Sequence, residues 1–300
     1  SKAERGYALV LNCQDTPLYA TPPKLTSDLS MPAAAASVLR EMYCQFTTNL
    51  NSLRTSDDPE LVHQARVGWR RFRSGLHLFK PAFPVDVIPS WHALKQLLKS
   101  LGKLRDLDVA RTSTLPALAE AYAGDDDQRR AAWQAMTNTL RQAAELQRKS
   151  VRNALNEPVV GATLLAITQW LEEVPDLNGL DGAGIEPDGS IQGWVEGRLS
   201  HMHKQLKVAS KGGDSLVRQH RVRILAKRMR YGIEALRAFL PKRRAQLWYQ
   251  QATSLQLSIG IARDVNQAGA LVAKLSTDHG IVEFLRGVAT GFIVTKTSHT

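Results

Sequence analysis

Apolar side chains recur at three- and four-residue spacing along most of the chain, and no segment alternates apolar and polar positions convincingly as a half-buried strand would. Over residues 32–53 an Ala-rich background carries Val38, Leu39, Met42, Phe46 and Leu50 at helical spacing. Ser56-Asp57-Asp58-Pro59-Glu60 then supplies a helix start, with Asp58 placed to cap it and Pro59 at the first helical position. That helix stops before Pro81. Further helices are predicted from about residue 90, with Leu94, Leu97, Leu98, Leu101 and Leu104 on one side, and over about 127–155, 159–172, 192–210, 215–239, 242–277 and 282–295. Pro84 and Pro89 bracket a turn. Residues 1–30 do not read as helix: residues 8–11 suit a short strand, and Pro17, Pro22 and Pro23 keep the chain extended. Between 176 and 193 stand five Gly, four acids and one Pro, the composition of a linker. The chain is predicted to be all-α, with a tail over 1–30, a helical domain over 31–300, and within it a first half at 31–175, a linker at 176–192 and a second half at 193–297.

One helical stretch occurs twice. His63, Arg66, Arg70, Arg71 and Arg73 share their offsets with His220, Arg223, Lys227, Arg228 and Arg230. At about 100° per residue, His63, Arg66, Arg70 and Arg73 fall within an arc of roughly 80°, and His77 joins them. Ala65, Trp69, Phe72, Leu76 and Phe79 cluster on the opposite side. The second copy sets His220, Arg223, Lys227 and Arg230 against Val222, Ala226, Met229, Ile233 and Leu236. A second signature repeats too. Gly102-Lys-Leu-Arg105-Asp106 corresponds to Gly260-Ile-Ala-Arg263-Asp264, at an offset of 158 against 157 for the basic helices. Two signatures at nearly one spacing point to internal duplication. The Arg-Asp turns suit helix-positioning ion pairs better than ligand contacts.

Charge sharpens the picture. The formal net charge is +11, yet residues 62–111 alone hold ten Lys/Arg against three acids, and 198–244 hold fourteen against two. Solvated helix faces usually mix Glu with Lys for mutual support. Here no acid stands between Glu60 and Asp86, and only Glu234 stands between Asp214 and Asp264. A one-sign ladder repels itself unless an anion sits on it, so the pattern points to a polyanion site. Cys13 and Cys44 have no metal-type spacing and suit a reducing cytoplasm. No run of about 18 apolar residues predicts a membrane span. The first residues, Ser1-Lys-Ala-Glu-Arg-Gly, suggest a piece of a longer chain.

The two His-x-x-Arg-x-x-x-[Arg/Lys]-Arg-x-Arg helices and the two Gly-x-x-Arg-Asp segments resemble the conserved histidine α-helical domain, the CHAD family, over about residues 31–297. The opening residues through Tyr7 look like the end of a CYTH triphosphate-tunnel domain, which often precedes that family. The resemblance implies two four-helix bundles related by a pseudo-twofold, with basic helices facing a central groove or channel that binds inorganic polyphosphate. Carried over by position, His63, Arg66, Arg70, Arg71, Arg73, His220, Arg223, Lys227, Arg228 and Arg230 are then expected to contact it. Lys95, Lys99 and Lys103 would extend a basic wall in the first half only, because the 158 offset leads to Thr253, Leu257 and Ile261. Glu234 stands in the place of His77. The halves are therefore expected to contribute unequally.

The chemistry suits this expectation. Polyphosphate offers repeated charge and no base edges, so its reader needs donors rather than a code; Arg forks bond phosphate oxygens in pairs, and Lys acts as a point charge. A neutral imidazole orients a neighbour, whereas a protonated one adds charge below its ordinary pKa of about 6.5, and the sequence leaves both roles open. No Walker loop, G-x-S-x-G, H-E-x-x-H or Cys-His cluster is present. The Glu-x-Glu-x-Lys pattern of CYTH catalysis is absent as well. A non-catalytic polyphosphate-binding module is therefore expected, without metal or cofactor, cytoplasmic and associated with polyphosphate granules where these exist. Its rival is a nucleic-acid-binding helical module, which draws on the same charge but lacks a reader motif or an aromatic row. A scaffold for an acidic protein is the third class.

Overall fold

Ser30 begins the described helical part: its hydroxyl accepts from the Ala33 backbone N–H and caps helix α1, Met31–Ser52. The computed structural model describes residues 16–26, 29–83, 88–176, 190–211, 216–257, 260–275 and 278–297, with no side-chain description at 82, 216, 257, 260–263 and 292–297. All regular structure among them is helical. The expected strand at 8–11, Cys13, most of the linker at 176–192 and the side chain of Arg263 lie outside the described residues.

The helices are α1, α2 (Pro59–Phe79), α3 (Lys95–Val109), α4 (Ala119–Ala123), α5 (Asp127–Leu155), α6 (Pro158–Glu173), α7 (Ile191–Ser210), α8 (Leu216–Leu236), α9 (Lys242–Leu257), α10 (Gly260–Leu275) and α11 (His279–Thr297). Three expectations are corrected. A 3₁₀ turn at His92–Leu94 precedes α3, so that helix begins later than residue 90. The stretch predicted over 242–277 is two helices, α9 and α10. The first Gly-Lys-Leu-Arg-Asp segment is no turn but lies inside α3, which runs on into a π-helical turn at Ala110–Thr114.

Two compact units form, and neither follows the sequence halves: one comprises residues 1–94 and 157–256, the other 95–156 and 257–300. In the first unit α1 and α2 pack at backbone distance. A Cβ on Gly68 would lie 2.5 Å from the Phe46 amide nitrogen, so only glycine fits there. Tyr43, Phe46, Trp69 and Phe72 fill the same seam, with ring centroids 5.0–6.1 Å apart. Asn49 is fully buried and bonds both the backbone N–H and the carbonyl of Leu18, at 2.9 and 2.8 Å, which ties the extended segment to α1. Asp58 accepts from the Glu60 N–H at 2.8 Å and caps α2 behind Pro59, as its sequence predicts.

In the second unit α3 lays Leu97, Leu101, Leu104 and Leu107 into the core, opposite Trp133, Met136, Leu140, Val151 and Leu155 of α5. Tyr122, Trp133 and Phe284 close a three-ring cluster. Asp108 is wholly buried and takes the Arg148 guanidinium at 3.3 Å, with Arg111 at 3.8 Å. Burial pushes the Asp108 carboxyl above its ordinary value, and the guanidinia of Arg148, Arg111 and Arg105 pull it back. Asp106 accepts from the Gln267 amide of α10 at 3.2 Å, a contact that ties α3 to α10.

Candidate functional site

Helices α2 and α8, the two basic copies, belong to one unit and pack against each other. Their apolar sides set the arrangement: Ala65, Trp69, Phe72, Leu76 and Phe79 are buried on α2, and Val222, Ala226, Met229, Ile233 and Leu236 on α8. Gly232 admits the neighbours of α8, since a Cβ there would lie 2.9 Å from Leu199 Cδ2 and 3.9 Å from Leu78. The charged sides are left partly exposed. His63, Arg66, Arg70 and His77 are half-buried and Arg73 is exposed on α2; Arg223, Lys227, Arg228 and Arg230 are half-buried and His220 is exposed on α8. Arg70 Nε donates to the Arg66 carbonyl at 3.2 Å and lies along its own helix.

Where α2 ends, cations gather. Arg198 of α7 donates to the carbonyls of Leu78 and His77 at 3.0 and 2.9 Å, a positive group on the carbonyl-rich end of a helix. Arg228 Nη1 donates across to His77 Nε2 at 3.2 Å. A guanidinium cannot accept, so Nε2 is the unprotonated nitrogen and the imidazole carries its proton on Nδ1. Burial, then Arg228, Arg198 and Lys80, holds His77 below its ordinary pKa. Burial and then Arg73 lower that of Arg228, and burial lowers that of Arg198. Among the described residues no carboxylate figures in the charges acting on these three groups.

Not every expected contact lies on this surface. Arg71 is corrected: it is 2% exposed, bonded to Glu41 at 2.9 Å and to the Gln45 side chain at 2.7 Å, inside the α1/α2 seam. Its place on the wheel, about 80° from His63, already set it off the stripe. Arg230 is committed as well. It donates to Gln256 at 2.9 Å and to Glu234 and Tyr249 at 3.3 Å each, and its guanidinium lies over the Tyr249 ring. Glu234 thus anchors Arg230 rather than facing solvent alone. Lys95, Lys99 and Lys103 are all exposed along one side of α3, in the other unit. Sequence reasoning missed Arg198, which belongs to no repeated motif and gains its role only from the carbonyls it meets.

The family model of the CHAD domain matches residues 37–273. The crystal structure of the CHAD domain from the plant Ricinus communis is similar to this chain, with a TM-score of 0.75 and 26% identity, covering 92% of this chain and 91% of that one. A search of curated proteins gives no match.

Proposed function

Because the chain belongs to the CHAD-domain family, in general a polyphosphate-binding helical domain, we propose that it binds inorganic polyphosphate along the basic sides of α2 and α8. One observation carries the reading: Arg228 of α8 donates to His77 of α2 with Arg198 beside them, and on top of burial Arg228 and Arg198 lower the proton affinity of His77 while Arg73 lowers that of Arg228. A polyanion relieves that repulsion, and in a partly dry cleft the gain exceeds the roughly 0–1 kcal/mol of an exposed pair. The remaining stripe residues, His63, Arg66, Arg70, His220, Arg223 and Lys227, continue the row of donors. Arg supplies paired hydrogen bonds to successive phosphates, which suits a chain without base edges.

The proposed role is binding without turnover, because the stripe consists of donors and imidazoles. The partner is polyphosphate, free or in granules, in the cytoplasm. No described helix is long and apolar enough to cross a membrane. Titration of long-chain polyphosphate against single- and double-stranded nucleic acid at matched salt tests this. Tighter polyphosphate binding is expected, and tighter nucleic-acid binding overturns the reading. Salt must be matched because each phosphate contact steepens the salt dependence.

A further inference from the structure

Helix α6 turns a side without charge to solvent. Residues 158–171 hold no Asp, Glu, Lys, Arg or His, in a chain that is 22% charged. Val160, Ile167, Trp170 and Leu171 are buried on one side. Opposite them Pro158, Val159, Ala162, Leu165, Ala166 and Gln169 are exposed, Val159 to 55% and Leu165 to 67%. At about 100° per residue Pro158, Ala162, Leu165, Gln169 and Glu172 fall within an arc of roughly 80°. Their steps of four, three, four and three are those of a helix–helix seam. An exposed apolar stripe with a polar rim is the kind of surface that another protein covers.

The charge of the face and of its two ends selects the occupant. The chain carries +11 overall, so two copies repel where their basic sides meet, and α6 offers an approach free of that cost. Both ends of α6 run against the helix dipole. No side chain caps its N-terminus at Glu157, and Glu172 and Glu173 stand at its C-terminus, where the carbonyls already concentrate negative charge. Glu172 remains 66% exposed although it takes Arg40 at 2.9 Å. In an antiparallel pair of α6 helices each end answers the other, because the two carboxylates of one copy reach the N-terminal turn of the second. Centred between Leu165 and Ala166, such a pair sets Ala162 against Gln169, and Val159 against Glu172, of the second copy. Glu157 stands about 60° beyond the edge of the seam, on the flank away from Glu173. A Cβ on Gly161 would meet nothing within 4 Å, and with Ala162 and Ala166 it leaves room for closely spaced axes. A two-fold contact asks for this property, one surface complementary to itself.

We infer that α6 is a self-association surface, on which a second copy of this chain docks antiparallel through Val159, Ala162, Leu165, Ala166 and Gln169. A seam of one helix lies at the small end of specific interfaces, below about 1,200 Å², so the dimer is weak and reversible. Sedimentation equilibrium of the 300-residue chain, in buffer without polyphosphate, should show a mass that rises with concentration from 33.2 kDa towards twice that value. Leu165→Glu puts a carboxylate in the centre of the seam and should weaken association at least tenfold. Leu165 is exposed, so far-UV circular dichroism should not change. Disulfide cross-linking in a Cys13→Ser/Cys44→Ser background reads the orientation. In the antiparallel pair, position 162 faces 169 of the second copy and lies about 10 Å along the axis from its own counterpart. An oxidised mixture of Ala162→Cys and Gln169→Cys should therefore give the mixed disulfide well above the half expected from random pairing. A mass of 33.2 kDa at every concentration, a dimer indifferent to Leu165→Glu, or an excess of like-with-like disulfides overturns the inference. No basic stripe residue is altered and no polyphosphate is present, so the outcome is independent of the proposed function.

Discussion

Helix α2 carries arginines of two kinds on its two sides. Arg71 faces α1, is buried, and has Glu41 and Gln45 to bond. Arg73, two residues on, is exposed and presses on Arg228 of α8. A buried guanidinium is tolerated only with a partner in place, and the α1/α2 seam provides one. On the other side Arg228 of α8 meets His77 and Arg198 lies beside it, a gathering of basic groups that suits the proposed anion. Asp108 and Arg148 repeat the first arrangement in the other unit. Paired charge fixes the fold, and charge of one sign marks the surface proposed to bind.

That contrast can be broken from either side. The largest effect is expected at the paired end. Arg71→Ala leaves Glu41 and Gln45 without their partner and should cost about 3–5 kcal/mol in denaturant unfolding, whereas Arg73→Ala should cost little. Equal losses would erase the distinction. Gly68→Ala comes next, at about 1–3 kcal/mol, because its methyl would meet the Phe46 backbone and not a movable side chain.

The His77 effect is smaller and depends on pH. Its folded pKa lies below the ordinary value of about 6.5, so the unfolded chain binds the proton more readily. Stability from His77 is therefore complete above pH 6.5 and is lost as pH falls below it towards the folded pKa, by no more than about 1.4 kcal/mol per pH unit for one proton. The same proton adds a cation, so polyphosphate affinity should rise as pH falls. His77→Gln should flatten both slopes, and two unchanged slopes would remove His77 from the account. The smallest effect is expected at Glu234→Gln, about 0–1 kcal/mol in stability with slightly tighter polyphosphate binding.

Much of this was legible in the sequence. Helical periodicity, the Asp58-Pro59 start and the apolar sides of α2 and α8 follow from local rules that the packing does not override. The basic stripes were legible because charge of one sign at i, i+3, i+4 and i+7 needs no tertiary information. Arg71 was hidden for the converse reason. Its partner Glu41 lies thirty residues earlier, on a helix whose register against α2 depends on Gly68 and the aromatic seam. Arg198 needed the crossing of helices that no sequence spacing encodes. The π-helical turn after α3 had no signal at all. The contact units are made from both sequence halves, so a reading along the chain cannot find them.

The most direct test of the central claim is the affinity of Arg70→Glu/Arg223→Glu for long-chain polyphosphate, measured beside the wild type at one salt concentration. Each substitution changes one half-buried stripe residue on a different basic helix. The account predicts a loss of at least about a hundredfold, roughly 2.7 kcal/mol, with helicity unchanged by circular dichroism. Wild-type affinity in the folded double variant would contradict it, because the repeated stripe would then be surface and nothing more.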